Sequence, residues 1–134
     1  MPTIQAQIWK GLAFNIERLQ GKAPGTVIFR FSGPFTARDM FGSLTPVAVR
    51  NIFECESIPG DAPLITMNIF DLTGVPYMDS AGLGMLVSQY VRCHGKGVQM
   101  IAAGASPRVL QLFKMTKVDT FIPLAATVEE AEVQ

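Results

Sequence analysis

The sequence predicts an α/β protein, a mixed β-sheet of about five strands flanked by about four helices. Two apolar segments near the N-terminus are joined by the turn-like GKAPG, which pairs them as a hairpin. From residue 64 onward, strand-like runs alternate with helical patterns, an order that builds parallel strands joined by helical crossovers. At 134 residues the chain can bury one hydrophobic core without disulfide or metal staples. Residues 1–134 are therefore read as a single domain, with an N-terminal extension over 1–12 and a broken helical insertion over about 36–63.

Each element has its own signal. AFNIERL, residues 13–19, alternates apolar with polar side chains and reads as the first strand. GTVIFRFS, residues 25–32, is rich in β-branched and aromatic residues between Pro24 and Gly33-Pro34, and reads as the second. Thr36 and Asp39 have the spacing of a helix start, and Thr45-Pro46 looks like a restart ahead of Val49, Ile52 and Phe53. ESIPGDAP, residues 56–63, is a loop, and LITMNIFDL, residues 64–72, is the strongest and most central strand. Leu83, Leu86, Val87, Tyr90 and Val91 then form the apolar stripe of a helix closed by His94 and Gly95. VQMIAA, residues 98–103, is the next buried strand. Ser106 caps a helix with Pro107 at its first position and Val109, Leu112 and Phe113 inward. Residues 121–124 are a short edge strand, and Thr127 with Glu130 forms a capping box for a terminal helix.

Composition excludes several classes. Eleven basic and eleven acidic residues cancel, so the electrostatic footprint of a nucleic-acid binder is missing, as is a polybasic membrane patch. A net charge of zero leaves association with another protein as the better fit. Cys55 and Cys93 are distant, with no CxxC and no neighbouring histidine, so no metal site and no disulfide framework is expected. MPTIQAQIWKGLAF lacks a signal-peptide pattern, and no run reaches the roughly 20 apolar residues of a membrane span. The expectation is a cytoplasmic protein without membrane insertion. Ile8 and Trp9 stand in the N-terminal extension as a candidate homodimer contact.

The chemistry concentrates in VPYMDSAGLGMLVSQY, residues 75–90, where Asp79 and Ser80 precede two glycines and a helical pattern. A nucleophilic serine needs a base, and the single histidine, His94, lies at the far end of the same helix. Fourteen residues at about 1.5 Å rise put it about 21 Å from Ser80. The hydrolase elbow GxSxG fails because Met78 stands two residues before the serine, and neither the P-loop nor the Rossmann glycine pattern fits Gly82 and Gly84. No enzymatic activity and no cofactor is expected. Local physics makes Ser80 the helix N-cap, with Asp79 favoured by the macrodipole. That leaves Gly82 and Gly84, each costing a helix about 1 kcal/mol relative to alanine, and each allowing another surface close to the helix start.

MDSAGLG, residues 78–84, behind the strand ending FDLTGVPY, resembles the signature of STAS domains, the family named for sulfate transporters and anti-sigma factor antagonists. KGVQMIAAGASPRVLQLFKMTKVDTF, residues 96–121, continues the likeness through the family's strand, Ser-Pro helix start and Leu-Phe-x-Met segment. The resemblance implies a STAS-like sheet and, for members that stand alone, a regulatory module. In such members the unphosphorylated domain binds an anti-sigma factor that is also a serine kinase. Phosphorylation of the serine after the aspartate releases it, and a serine phosphatase restores binding. Carried onto this chain, the phosphoacceptor is Ser80, with Asp79, Ala81, Gly82 and Leu83 in the partner surface. The family's antagonists usually carry an acid shortly after the glycine that ends their second strand. Here Gly33 is followed by Pro34, Phe35 and Thr36, so Thr36 takes that place and Asp39 is the nearest acid. Two other readings compete: a non-catalytic STAS scaffold or accessory subunit of a stressosome-like or lipid-transport complex, and a nucleotide-binding sensor.

Overall fold

A computed structural model describes residues 4–10, 14–38 and 65–133. They form one six-stranded sheet in the order β1 (Ile4–Lys10), β2 (Asn15–Gln20), β3 (Thr26–Ser32), β4 (Met67–Gly74), β5 (Gln99–Ala103) and β6 (Leu124–Ala125). The helices among the described residues are α1 (Ser80–Gly95), α2 (Pro107–Thr116) and the short α3 (Val128–Glu132), with a 3₁₀ turn at Val118–Thr120. β1, β2 and β3 pair antiparallel, whereas β3, β4, β5 and β6 pair parallel. The expected mixed sheet is present, with four of its strands where the sequence marks them.

The two edges of the sheet differ from expectation. The N-terminal extension is not an appendage: Ile4–Lys10 pairs along β2 as a sixth strand, with register shifts between Ile4 and Ala6 and between Gln7 and Trp9. Three α-helices are described rather than about four. The broken helix expected over 36–63 lies outside the described residues apart from Ala37 and Arg38, which are helical. The last strand is Leu124–Ala125, not 121–124. Pro123 contributes only its carbonyl, which accepts from the Ala102 N–H at 3.0 Å, and ladder pairing begins after it.

The sheet has two unequal faces because side chains alternate along each strand. On one face Leu19, Ile28, Ile69 and Ile101 line up across four strands and are covered by Ala131 of α3. On the other, Phe29, Phe31, Phe70 and Leu72 meet Leu83, Leu86 and Cys93 of α1 and Val109 and Phe113 of α2. That larger core includes the side of β4 that carries Asn68, which is fully buried and donates from Nδ2 to Cys93 Sγ at 3.1 Å. The buried stripe of α1 is Gly82, Leu83, Leu86, Gln89 and Cys93, rotated from the stripe the sequence suggests. Val91 consequently faces water, 62% exposed, because the buried thiol of Cys93 and its Gln89 partner at 3.4 Å hold the inner position instead.

Candidate functional site

The segment expected to carry function joins β4 to α1, at the carboxyl end of parallel strands, where ligands and partners meet open α/β sheets. It is pinned from below. Val75 and Met78 are buried, whereas Tyr77 and Ser80 point outward. The connection leaving β3 is laid beside it. Phe35 forms an isolated parallel bridge with Met78; its N–H donates to the Tyr77 carbonyl at 3.0 Å, and its carbonyl accepts from the Asp79 N–H at 3.3 Å. Phe35 is itself anchored, fully buried and stacked on Phe14 at 5.2 Å, with Phe31 at 4.9 Å. An aromatic cluster thus holds a loop 42 residues away in sequence against the Asp79 corner.

This arrangement decides which residue caps the helix. Ser80 is not the N-cap: Asp79 is, in extended backbone at φ −104° and ψ −172°. Its Oδ1 accepts from the N–H groups of Ala81 and Gly82, both at 3.0 Å, and its Oδ2 accepts from the Ala37 N–H at 3.0 Å. One carboxylate therefore satisfies two orphan donors of the first turn and ties the β3 connection to α1. Ser80 becomes the first helical residue, exposed, with its hydroxyl not used by the cap.

The two glycines have different reasons. A Cβ on Gly82 would collide with the Phe35 carbonyl oxygen, so Gly82 admits the chain's own loop, not a foreign surface. Gly84 is exposed, and a Cβ there would meet nothing within 4 Å. Ala81 is half-buried and Leu83 is packed in the core at 8% exposure. Thr36 is likewise 8% exposed, tucked between Phe35 and Ala37. Asp39 lies outside the described residues. Beside the corner, the Arg108 guanidinium carbon stands 4.7 Å from the centre of the Tyr77 ring.

Other candidates fall away from this corner. His94 is in the last turn of α1, at the opposite end of the helix from Ser80, and stacks on Tyr90 at 6.0 Å. Among the described residues, no group of three or more His, Cys, Asp or Glu side chains is placed to hold a metal ion, and no helix is long and apolar enough to cross a membrane. Sequence reasoning missed Phe35 and Ala37 as parts of the site. No local signal names them, since their contacts are made across the fold.

The STAS domain family model matches residues 21–131. An anti-sigma-B factor antagonist of Listeria monocytogenes is 35% identical over 54 residues, which cover 40% of this chain and 47% of that protein. The chain thus spans about half the length of the curated relatives it matches. The fold is similar to that of an anti-sigma factor antagonist from Mycobacterium paratuberculosis, at TM-score 0.68 and 20% identity, covering 90% of this chain and 92% of that one. It is also similar to a sulfate transporter family protein from Wolinella succinogenes, at TM-score 0.65 and 17% identity, covering 85% and 87%. At these identities the structural likeness establishes the fold alone.

Proposed function

Since the chain belongs to the STAS domain family by a match over residues 21–131, we propose that it is an anti-sigma factor antagonist-like regulatory module switched by phosphorylation of Ser80. In this reading it is a single-domain cytoplasmic binding protein, not an enzyme. Its partners are an anti-sigma factor with serine-kinase activity and a phosphatase that resets Ser80. The observation that carries the proposal is the division of labour at the corner: Asp79 caps the helix, and Ser80 is left exposed at its first position. A serine that capped α1 would have its hydroxyl oxygen engaged by the first turn. This one is presented outward on backbone that three hydrogen bonds from the Asp79 carboxylate hold in place.

The switch is electrostatic. A phosphate adds about −1.5 to −2 charge, which the positive end of the α1 dipole accepts within the chain. A partner seated on Ser80 and the open side of Gly84 would meet both bulk and charge. In this reading the partner surface is centred on Ser80 with Asp79 and Ala81, and Gly82, Leu83 and Thr36 pack behind it; Asp39, the remaining residue assigned to it, lies outside the described residues.

The test is phosphorylation by candidate serine-kinase anti-sigma factors with ATP, read by mass spectrometry. Wild type gains one phosphate on Ser80, Ser80→Ala gains none, and Ser80→Asp loses the kinase as a binding partner while keeping its fold. If no such kinase binds or modifies the wild type and Ser80→Asp changes no interaction, the switch is wrong and a scaffold role takes its place. A thermal shift with guanine or adenine nucleotides would instead favour the sensor reading.

A further inference from the structure

Tyr77 and Arg108 form a pair beside Ser80 that neither the sheet nor the helix cap requires. Tyr77 is 37% exposed and Arg108, the second residue of α2, is exposed, yet the guanidinium is held 4.7 Å from the ring centre. Both backbones are fixed. The Tyr77 carbonyl accepts from the Phe35 N–H at 3.0 Å, and the first turn of α2 is capped by Ser106, whose Oγ accepts from the Val109 N–H at 3.2 Å. The guanidinium carbon lies over the ring face in a cation–π placement, and a carboxylate matches the planar guanidinium fork with two parallel hydrogen bonds. Tyrosine and arginine are also the residues in which binding energy concentrates at protein interfaces.

The charge presented at this corner points the same way. Asp79, the acid next to Ser80, has both carboxylate oxygens engaged by backbone N–H groups of its own chain. Tyr77 is three residues from Ser80, so their Cα atoms lie within about 11 Å even at full extension. Building on the proposed role of Ser80 as a partner surface, we infer that the Tyr77–Arg108 pair is the specificity-determining contact of that surface and that Arg108 takes a carboxylate of the partner. Phosphate on Ser80 then acts twice. It repels the partner's carboxylate, and it competes for the same guanidinium.

The experiment measures binding of the full chain to the purified kinase that modifies Ser80, by calorimetry, for wild type, Arg108→Ala, Arg108→Lys, Tyr77→Ala, Lys114→Ala and Ser80→Asp. Thermal melts confirm that each variant is folded. Arg108→Ala weakens binding at least about tenfold and flattens its salt dependence. Arg108→Lys falls between it and wild type, because charge survives while the planar fork is lost. Lys114→Ala, an exposed cation farther along α2, binds as wild type does. If Arg108→Ala binds like wild type while Ser80→Asp still abolishes binding, the Arg108 contact is overturned and the Ser80 switch stands. If neither substitution changes binding, both are overturned.

Discussion

Gly82 and Gly84 are two residues apart on α1, and alanine at each should change stability in opposite directions. At Gly82 the added methyl overlaps the Phe35 carbonyl oxygen, and the carbonyl carbon and ring Cγ of the same residue lie 3.1 Å from it. Phe35 cannot retreat into the core, because it is fully buried against Phe14 and Phe31. Relief requires the 35–37 connection to lift, which breaks two or all three of its hydrogen bonds: Phe35 N–H to Tyr77 O at 3.0 Å, Asp79 N–H to Phe35 O at 3.3 Å, and Ala37 N–H to Asp79 Oδ2 at 3.0 Å. At about 1 kcal/mol each, with about 1 to 2 kcal/mol of repacking and about 1 kcal/mol returned by helix propensity, the net loss is about 2 to 4 kcal/mol. At Gly84 the methyl meets nothing, so only the propensity gain of about 1 kcal/mol remains. In urea, with a slope of about 1.5 kcal/mol/M, the midpoint should fall by about 1.3 to 2.7 M for Gly82→Ala and rise by about 0.7 M for Gly84→Ala. A Gly82→Ala midpoint equal to wild type would refute the claim that Phe35 occupies the space beside that glycine. If Gly84→Ala is more stable yet binds the kinase more weakly, the open side of the helix start is a contact surface.

Substitutions at three further residues separate the roles at the helix starts. Asp79→Ala leaves three backbone donors without their acceptor and should cost about 2 kcal/mol or more, while Asp79→Asn, a good N-cap in its own right, should cost clearly less; chemical denaturation measures both. Ser80→Ala should stay within about 0.5 kcal/mol of wild type, because an exposed first-turn residue that is not the cap contributes little; a loss of about 1 kcal/mol or more would reinstate Ser80 as the cap. Ser106→Ala should cost about 1 kcal/mol, since its Oγ does hold the Val109 N–H at 3.2 Å, which makes it the internal comparison for Ser80.

Much of the fold is legible because its signals are short-range. The β-branched run of β3, the Ser106-Pro107 start of α2 and the Thr127 cap of α3 each involve residues within one turn of one another, and all stand where the sequence places them. β1 was legible in principle, since Ile4, Ala6 and Ile8 alternate with Gln5 and Gln7, but its pairing partner is what makes that alternation a strand. The rotation of the α1 stripe was not legible. Val91 is more hydrophobic than Gln89, yet Gln89 is buried because its amide reaches the Cys93 sulfur inside the core.

By itself the sequence determined the alternation of strands and helices and the α1 start within a residue. Those features depend on periodicity and on side chains meeting the backbone a few residues away. The choice between Asp79 and Ser80 as cap belonged to the tertiary structure. Both residue types cap helices well, so local preference leaves them nearly balanced. The balance is broken from 42 residues away: the Phe35 carbonyl holds the Asp79 N–H, and the Ala37 N–H holds its carboxylate. Asp79 is thereby kept extended, the helix begins at Ser80, one residue earlier than a Ser80 cap would allow, and the exposed Ser80 side chain is left out of the cap.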